Sequence, residues 1–430
     1  MPSTTKRVLI VAYYFPPRPT AGVVRPSYLA SHLPEFGWEP TVLTNYVGQP
    51  GTAPPYVVSV NDALERWNGR RIAAERERAQ TNGEPGHRRL GHWAKDVAKR
   101  VVWFPDRAAG WLPAATRQAL DLTRRSRFDA IISTCPPPTV HIVAGLTAMR
   151  RGLPWIADYR DLWYGNPYAG HGRVRMRIEY EIERRILRRA TRITAISDHL
   201  IAQQRLAFHK DGAVIPNAYD PAEWRTIEAL DPATFSLCYA GMLYDGKRRL
   251  DMLFAAVAEL RREEDPAGLA ARFDVYGSDD RLVRAMATDF GLDDAVRVHG
   301  RVDRSDVLRA QREAAVLLIP LAMDPETSHE LGSKVFECVG ARRPIIAVGP
   351  GDSVVGKFII HHRLGWFASD VAACKAAVRA AYDRFMRGEF EPAIEQSNGI
   401  PTARELARQF ADQLDAVTEG STARVKELAV

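Results

Sequence analysis

Short apolar runs recur along the chain, and glycine, proline, serine, aspartate or asparagine ends each of them. Stretches with helical patterning separate these runs. Apolar runs that alternate with helices predict strands of a parallel sheet that is buried on both faces. In the first half the predicted strands are 8–15, 41–44, 130–134, 155–158, 193–197 and 213–216. In the second half they are 235–240, 273–277, 296–300, 315–320 and 344–349.

Two such sets predict an α/β protein with two Rossmann-like, doubly wound parallel-sheet domains, as the length of 430 residues also favours. We expect an N-terminal domain over 1–220 and a C-terminal domain over 233–400. Residues 401–430 look helical, and we expect them to pack on one domain or to bridge both. Ligands of open α/β sheets bind beyond the carboxyl ends of the strands, so two domains facing across a cleft would hold a ligand in that cleft.

Residues 66–105 do not follow the alternation. A polar stretch there precedes a basic helix with Trp93, Val97, Val101 and Phe104 along one side. Such a helix either lies in a membrane interface or packs its apolar side on its own domain.

The chain has no apolar run long enough to span a membrane. The N-terminal apolar run precedes Pro16-Pro17 without a small-residue cleavage site, which favours a buried first strand over a secretory signal.

The composition is that of a globular protein, with 46% hydrophobic and 26% charged residues. No two of the four cysteines (Cys135, Cys238, Cys338 and Cys374) have a metal-ligand spacing, which predicts reduced thiols in the cytoplasm and no metal site. The net charge of +7 is concentrated in the first half, where residues 170–192 hold 8 arginines against 3 glutamates. This favours an anionic partner, namely an acidic membrane or a phosphorylated substrate. A nucleic acid is disfavoured because no basic recognition helix or stacking motif is present.

One loop in each half of the chain has residues that are typical of a phosphate-binding site. Gly22 precedes a helix that is predicted to start near Val24, and a glycine there lets a ligand approach the amides at the positive end of the helix. No G-x-G-x-x-G is present, so a nicotinamide dinucleotide is not supported. In the second half, Gly241 follows a strand and leads to Lys247, Arg248 and Arg249 at the mouth of a helix.

A later helix is predicted to begin at Ser333 and Lys334, with Glu337 one turn further on. Lys334 and Glu337 are three residues apart and therefore share one helical face. A helix N-terminus and one lysine from each of two loops can neutralise a diphosphate without a metal, and a carboxylate nearby can accept ribose hydroxyls.

Three further side chains remain open to two interpretations. Asp158 and Asp161, which follow a first-domain strand, either orient substrate hydroxyls or have a structural role, such as pairing with Arg160. His141 lies near a predicted helix start and either reaches the cleft or belongs to the core.

The order of several motifs resembles the family 4 glycosyltransferases, which are retaining enzymes with the GT-B fold. The motifs are YYFPP…AGVVR, STCPPPTVH, PWIADYRDLW, TAISDHL, VIPNAYD, YAGMLYDGKRR and SKVFECVGARRPIIAVG, spread over residues 6–365. Among them, IISTCPPP with IADYRDLW resembles a bacterial branch that makes cell-surface polysaccharides and glycolipids.

The resemblance implies roles for individual residues. The donor phosphates would be bound by Lys247, by either Arg248 or Arg249, and by Lys334. Glu337 would bind the ribose. Arg25 would point into the cleft towards the acceptor, and the Gly22 loop would lie beneath the phosphates or the acceptor. The catalytic set is then Lys247, Arg248, Lys334, Glu337, Asp158, Asp161 and His141, and the donor-binding set is Gly22, Gly241, Arg249, Gly277, Val302, His329, Glu330 and Ser333.

The chain departs from the family pattern at three places. The first of the two glutamates that are usually eight residues apart falls on His329, with Glu330 beside it. Met242 replaces the common arginine after the first glycine of the second domain. Thr134-Cys135-Pro136 replaces a frequent histidine. These departures leave open which residue touches the transferred sugar.

The resemblance implies a metal-independent, front-face transfer in which the leaving diphosphate helps to deprotonate the acceptor. The donor would be a nucleotide sugar, used as a co-substrate with no resident cofactor, and the acceptor a surface polysaccharide or a lipid-linked glycan. The expected location is the cytoplasm, with peripheral contact at the inner face of an anionic membrane. Two alternatives stay open: a sugar-nucleotide epimerase of the same architecture, and a catalytically degenerate paralogue that only binds nucleotide sugar.

Overall fold

The computed structural model divides into two compact units, Met1–Pro216 with Arg404–Val430, and Asn217–Ala403. Residues 5–428 are described except 19, 50, 66–103, 167–168, 229–230, 245, 264–269, 278–279, 324–330 and 392–398, and side chains are described up to residue 420 except that of residue 280. His329, Glu330 and the predicted basic helix around Trp93 lie outside the described residues.

The first unit contains a seven-stranded parallel sheet with helices. Its strands are β1 Lys6–Val11, β2 Trp38–Thr44, β3 Val57–Ser59, β4 Ala130–Cys135, β5 Trp155–Tyr159, β6 Arg192–Ala195 and β7 Gly212–Val214. Its first five α-helices are α1 Val24–His32, α2 Leu112–Arg125, α3 Thr139–Arg151, α4 Arg173–Leu187 and α5 Asp198–Phe208. Short 3-10 turns lie at Ala21–Val23, Leu33–Phe36 and Ala109–Trp111.

The strand order of this sheet is β3-β2-β1-β4-β5-β6-β7. The winding therefore reverses between β1 and β4, and the loops that follow these two strands meet at the carboxyl edge of the sheet, where α/β proteins bind ligands. Every residue of β4 and β5 is buried, which explains why continuous apolar runs predicted them.

The second unit contains a six-stranded parallel sheet in the order β10-β9-β8-β11-β12-β13. Its strands are β8 Ser236–Ala240, β9 Arg272–Tyr276, β10 Val296–Gly300, β11 Val316–Pro320, β12 Ile345–Val348 and β13 Gly365–Ala368. Its helices are α6 Pro221–Arg225, α7 Asp251–Glu263, α8 Asp280–Asp289, α9 Arg304–Glu313, α10 Ser333–Ala341, α11 Val354–His361 and α12 Val371–Met386. The winding reverses between β8 and β11, and α10 follows β11.

These two sheets confirm the predicted fold class. Each predicted strand overlaps an observed one, whereas β3 and β13 were not predicted. Both missed strands are short edge strands, and six of their seven residues are half-buried or exposed, so neither contains a long run of buried apolar residues.

A 26-residue helix, α13 Ala403–Leu428, packs on the first unit. Leu406, Phe410 and Leu414 are buried, as the helical spacing predicted. Asp415 accepts hydrogen bonds from Lys6 Nζ at 2.7 Å and from Trp38 Nε1 at 3.1 Å, which attaches the helix to β1 and β2. None of the described helices is both long enough and apolar enough to cross a membrane.

Candidate functional site

Glycines follow or end three neighbouring strands at the carboxyl edge of the second sheet. The amide of Gly241 donates to the carbonyl of Tyr276 at 2.9 Å, and the amide of Gly277 donates to the carbonyl of Gly300 at 2.6 Å. Gly277 has a φ of +79°, a conformation that a side chain would strain. All three glycines are half-buried, and we call their row of backbone without side chains the glycine ledge; half-buried Val302 follows it in the chain.

Lys334 and Glu337 lie together in the first turns of α10, next to the point where the winding of the sheet reverses between β8 and β11. Lys334 Nζ donates to Glu337 Oε1 at 2.7 Å, as the three-residue spacing predicted. Burial alone would lower the pKa of Lys334, but the Glu337 carboxylate raises it above its ordinary value. The N-cap residue Gly332 has no side chain that could cap the helix, so Ser333 begins a helix end with positive potential.

Residues distant in sequence complete the contacts of Glu337. Arg304 Nη1 donates to Glu337 Oε2 at 3.1 Å, and Gln311 Nε2 donates to Oε1 at 2.8 Å. Burial alone would raise the pKa of Glu337, but Lys334 and Arg304 lower it to about 2. Arg304 also donates to Glu223 of α6 at 2.9 Å. Arg304 was not predicted from the sequence, although it lies only four residues after Gly300 and therefore near the same edge.

The basic run after β8 has three different environments. Lys247 is exposed. Arg249 Nε donates to Asp251 at 2.5 Å, at the start of α7. Arg248 lies over the Tyr244 ring, with 4.9 Å between the guanidinium carbon and the ring centroid. Burial raises the pKa of Tyr239, while Arg248 and Lys334 both lower it, so these two cations lie near one phenol.

In the first unit, Arg25 and Asp158 form a buried ion pair. This corrects the acceptor role predicted for Arg25, and it gives Asp158 the structural role that the sequence left open, with Arg25 and not Arg160 as its partner. Arg25 is 2% exposed and Asp158 0%. Two nitrogens of Arg25 donate to the two oxygens of Asp158, each at 2.9 Å, and Thr134 and Thr194 donate to the same carboxylate. Arg25 also donates to two backbone carbonyls, those of residues 215 and 216. Asp158 lies within β5 rather than after it, and its charge is satisfied inside the fold.

His141 is also a core residue, so of the two interpretations that the sequence left open the structure supports the second. Its ring is fully buried between Trp155 and Tyr159, with ring centroids at 6.0 and 4.6 Å. Its Nδ1 shares a 2.7 Å hydrogen bond with Ser133. Burial lowers the pKa of His141 to about 3, which keeps the imidazole neutral.

Two predicted residues remain at the carboxyl edge of the first sheet. Asp161 is half-buried, and among the described residues none donates a hydrogen bond to its carboxylate. Burial raises its pKa, and Arg160 opposes that shift. Gly22 lies under Tyr14: a Cβ added at Gly22 would lie 2.8 Å from the Tyr14 ring, so only glycine fits without a shift.

Two family models match the chain. The glycosyl transferase 4-like domain matches residues 21–218, and the glycosyl transferases group 1 model matches residues 234–384. The chain belongs to the GT-B glycosyltransferases. No curated protein sequence matches this glycosyltransferase.

Solved structures with the same fold extend over nearly the whole glycosyltransferase. Sucrose-phosphate synthase from Thermosynechococcus elongatus has a TM-score of 0.56 at 13% identity, covering 98% of this chain and 99% of its own. HepE from Anabaena, solved with UDP and glucose, has a TM-score of 0.54 at 12% identity, covering 98% and 100%. WaaG, which is involved in lipopolysaccharide biosynthesis, has a TM-score of 0.55 at 16% identity, covering 96% and 98%.

Proposed function

We propose that this glycosyltransferase moves a sugar from a nucleotide sugar to a surface polysaccharide or a lipid-linked acceptor, with retention of configuration and without a metal. The observation that carries the proposal is the pair of Lys334 and Glu337 at the start of α10, beside the glycine ledge. A similar structure, that of HepE, contains UDP-glucose, which supports a nucleotide sugar as the donor.

In this proposal the second unit binds the donor. Lys334 and Arg248, which flank Tyr239, contact the diphosphate together with Lys247, Arg249 and the amides at the start of α10. Glu337 accepts the ribose hydroxyls, since its low pKa keeps it ionised. The base lies along the ledge formed by Gly241, Gly277, Gly300 and Val302.

The chemistry consists mainly of charge stabilisation. As the bond to the anomeric carbon breaks, negative charge develops on the leaving diphosphate, and that diphosphate accepts the proton of the acceptor hydroxyl. Lys334 and Arg248 stabilise the developing charge, which is the task that a divalent cation performs in other transferases. The acceptor enters on the same face that the diphosphate leaves, so the configuration is retained. In the first unit, Asp161 and the loop around Gly22 bind the acceptor.

A thermal-shift experiment tests the donor site. Wild type, a Lys334→Ala/Glu337→Ala variant and a Lys357→Ala control are heated with UDP-, GDP- and dTDP-sugars in the presence of EDTA. Lys357 is an exposed lysine of the same unit. We expect one nucleotide class to stabilise wild type and the control but not the double variant. If no nucleotide stabilises wild type, the donor assignment is wrong.

The transfer itself is tested by product analysis. The donor class found above is incubated with a panel of polysaccharide and polyprenyl-linked acceptors, and the anomeric configuration of the product is measured by NMR. We expect consumption of the donor to depend on the acceptor and the product to keep the donor's configuration. Interconversion of the donor without any acceptor would show an epimerase, and an inverted product would refute retention.

We also propose that α4 contacts an anionic membrane. Val174 and Ile178 lie four residues apart on this helix, and their side chains are 77% and 47% exposed. Arg173 and Arg177 are exposed beside them. Exposed apolar side chains among arginines fit the interface of a bilayer with acidic head groups.

Vesicle sedimentation tests this contact. Full-length protein is mixed at low salt with vesicles of phosphatidylcholine alone or with added phosphatidylglycerol. We expect binding only to the anionic vesicles, and a loss of that binding in a Val174→Ser/Ile178→Ser variant. An Ile360→Ser/Met386→Ser variant is the control, because these side chains of the second unit are similarly exposed, at 58% and 64%. Equal binding by both variants would refute the surface on α4, and no binding by wild type would favour a soluble acceptor.

A further inference from the structure

Arg160, the first residue after β5, donates to two different loops at the carboxyl edge of the first sheet. Its Nε donates to the carbonyl of Cys135 at 3.3 Å, its Nη2 to that of Pro136 at 2.9 Å and its Nη1 to that of Gly22 at 3.1 Å. Its backbone amide also donates to Cys135, at 3.0 Å. One side chain thus connects the loop after β1 with the loop after β4.

The contacts of Arg160, which is half-buried, differ from those of Arg25, the buried arginine of this region. Arg25 has a carboxylate partner, whereas none of the described carboxylates forms an ion pair with Arg160. Burial lowers the pKa of Arg160, although the nearby carboxylate of Asp161 opposes this effect. A partly buried charge that is held by carbonyls gains less free energy than one with a counter-charge, so the main contribution of Arg160 is the loop geometry that it fixes.

That geometry includes the residues proposed for the acceptor. Asp161 is the next residue in the chain, and Gly22 is one of the three carbonyl partners. A planar guanidinium can reach three separated carbonyls at fixed angles, which the single ammonium group of lysine does not do.

We propose that Arg160 is a positioning residue that fixes the loops after β1 and β4 relative to Asp161, and so shapes the acceptor site. This inference rests on the proposed function for the identity of the bound molecule. The positioning of the two loops does not depend on it.

The test compares wild type with Arg160→Lys, Arg160→Met and a control, Arg124→Met, whose side chain is 66% exposed on α2. Hydrogen–deuterium exchange of the full chain is measured over residues 12–24 and 134–141. We expect faster exchange in both loops of both Arg160 variants, with no rescue by lysine and no change in the control. Unchanged exchange in either loop, or full rescue by lysine, would overturn the proposal.

Kinetics separate positioning from a general loss of stability. We expect the KM for the acceptor to rise about tenfold or more in both Arg160 variants, while the Kd for the nucleotide diphosphate that binds wild type stays unchanged. An equal loss of nucleotide binding would show global destabilisation and would also overturn the proposal. If wild type transfers no sugar at all, the proposed function fails, and the exchange measurement still decides the role of Arg160.

Discussion

The two units differ in how they use charge near the point where the winding of each sheet reverses. In the first unit, Asp158 is fully buried and all its hydrogen-bond donors come from the same unit. In the second, the side chains of Glu337 and Lys334 are 14% and 30% exposed. A fully buried pair fixes the fold and is expensive to break, whereas a partly exposed pair exchanges partners with a ligand at little cost. The comparison indicates that a charged residue at a carboxyl edge is a candidate ligand group only where its charge is still accessible.

The largest effect should come from breaking the buried pair. Asp158→Asn leaves the Arg25 guanidinium buried without its counter-charge, which typically costs about 3–5 kcal/mol. We expect the unfolding transition of the first unit in urea to move to a clearly lower concentration. Asp412→Asn is the matched control, because Asp412 pairs with Arg408 on the exposed surface of α13 and should change the stability by less than about 1 kcal/mol. Equal midpoints for both variants would remove the contrast between the units.

A second prediction concerns Glu183, which is fully buried in α4 and accepts a hydrogen bond from Tyr159 at 2.8 Å. Burial raises the pKa of Glu183 to about 7 from the ordinary value of 4.5. The unfolded chain therefore loses this proton at a lower pH than the folded chain does, so stability should fall by about 3 kcal/mol between about pH 4.5 and 7.

Glu183→Gln should remove that pH-dependent loss, as measured by urea unfolding at several pH values in this range. Glu181→Gln is the control on the same helix. Its pKa is lowered to about 2 by Arg184, so its contribution is lost only when the pH falls below the ordinary range of a glutamate. A wild type and a Glu183→Gln variant with parallel pH profiles would contradict the prediction.

The partly exposed pair of Lys334 and Glu337 in the second unit should matter for nucleotide binding instead of folding. Glu337→Gln removes the charged acceptor proposed for the ribose, and we expect the Kd for the nucleotide that stabilises wild type to rise about 10- to 100-fold, or about 1.4–2.8 kcal/mol. Titration calorimetry measures this change. Glu313→Gln, at the exposed end of α9, should leave the Kd unchanged. A large loss of stability in Glu337→Gln with unaltered affinity would show that Glu337 stabilises the fold and does not bind the nucleotide.

The smallest effect should come from Arg304, which supports Glu337 from a neighbouring helix. Arg304→Met leaves Lys334 and Gln311 as donors to Glu337. We therefore expect the Kd for the same nucleotide to rise less than about tenfold. Arg309→Met, an exposed arginine of the same helix, should have no effect. An effect of Arg304→Met as large as that of Glu337→Gln would show that Arg304 itself contacts the nucleotide.

The local parts of this arrangement were predictable from the sequence. Buried strands appear as apolar runs, and the contact of Lys334 with Glu337 follows from helical spacing. Other contacts decide whether a charged side chain binds a ligand or stabilises the fold. These contacts were not predictable, because they join segments that are distant in the sequence. Arg25 lies 133 residues from Asp158, and Arg304 lies 33 residues from Glu337. Local patterning carries no signal of such partners. Arg25 was therefore assigned to the acceptor, the role of Asp158 stayed open and Arg304 was missed.

Helix α13 has a consequence for the order in which the protein is completed on the ribosome. Phe410 lies beneath Arg25, with 5.0 Å from the guanidinium carbon to the ring centroid, so part of the first unit's core is encoded after all of the second unit. Residues 217–403 can therefore finish folding before α13 is available to pack on the first sheet. Until residues 404–417 are available, the first unit lacks part of its core, so it should be less stable and more sensitive to proteases than the complete unit.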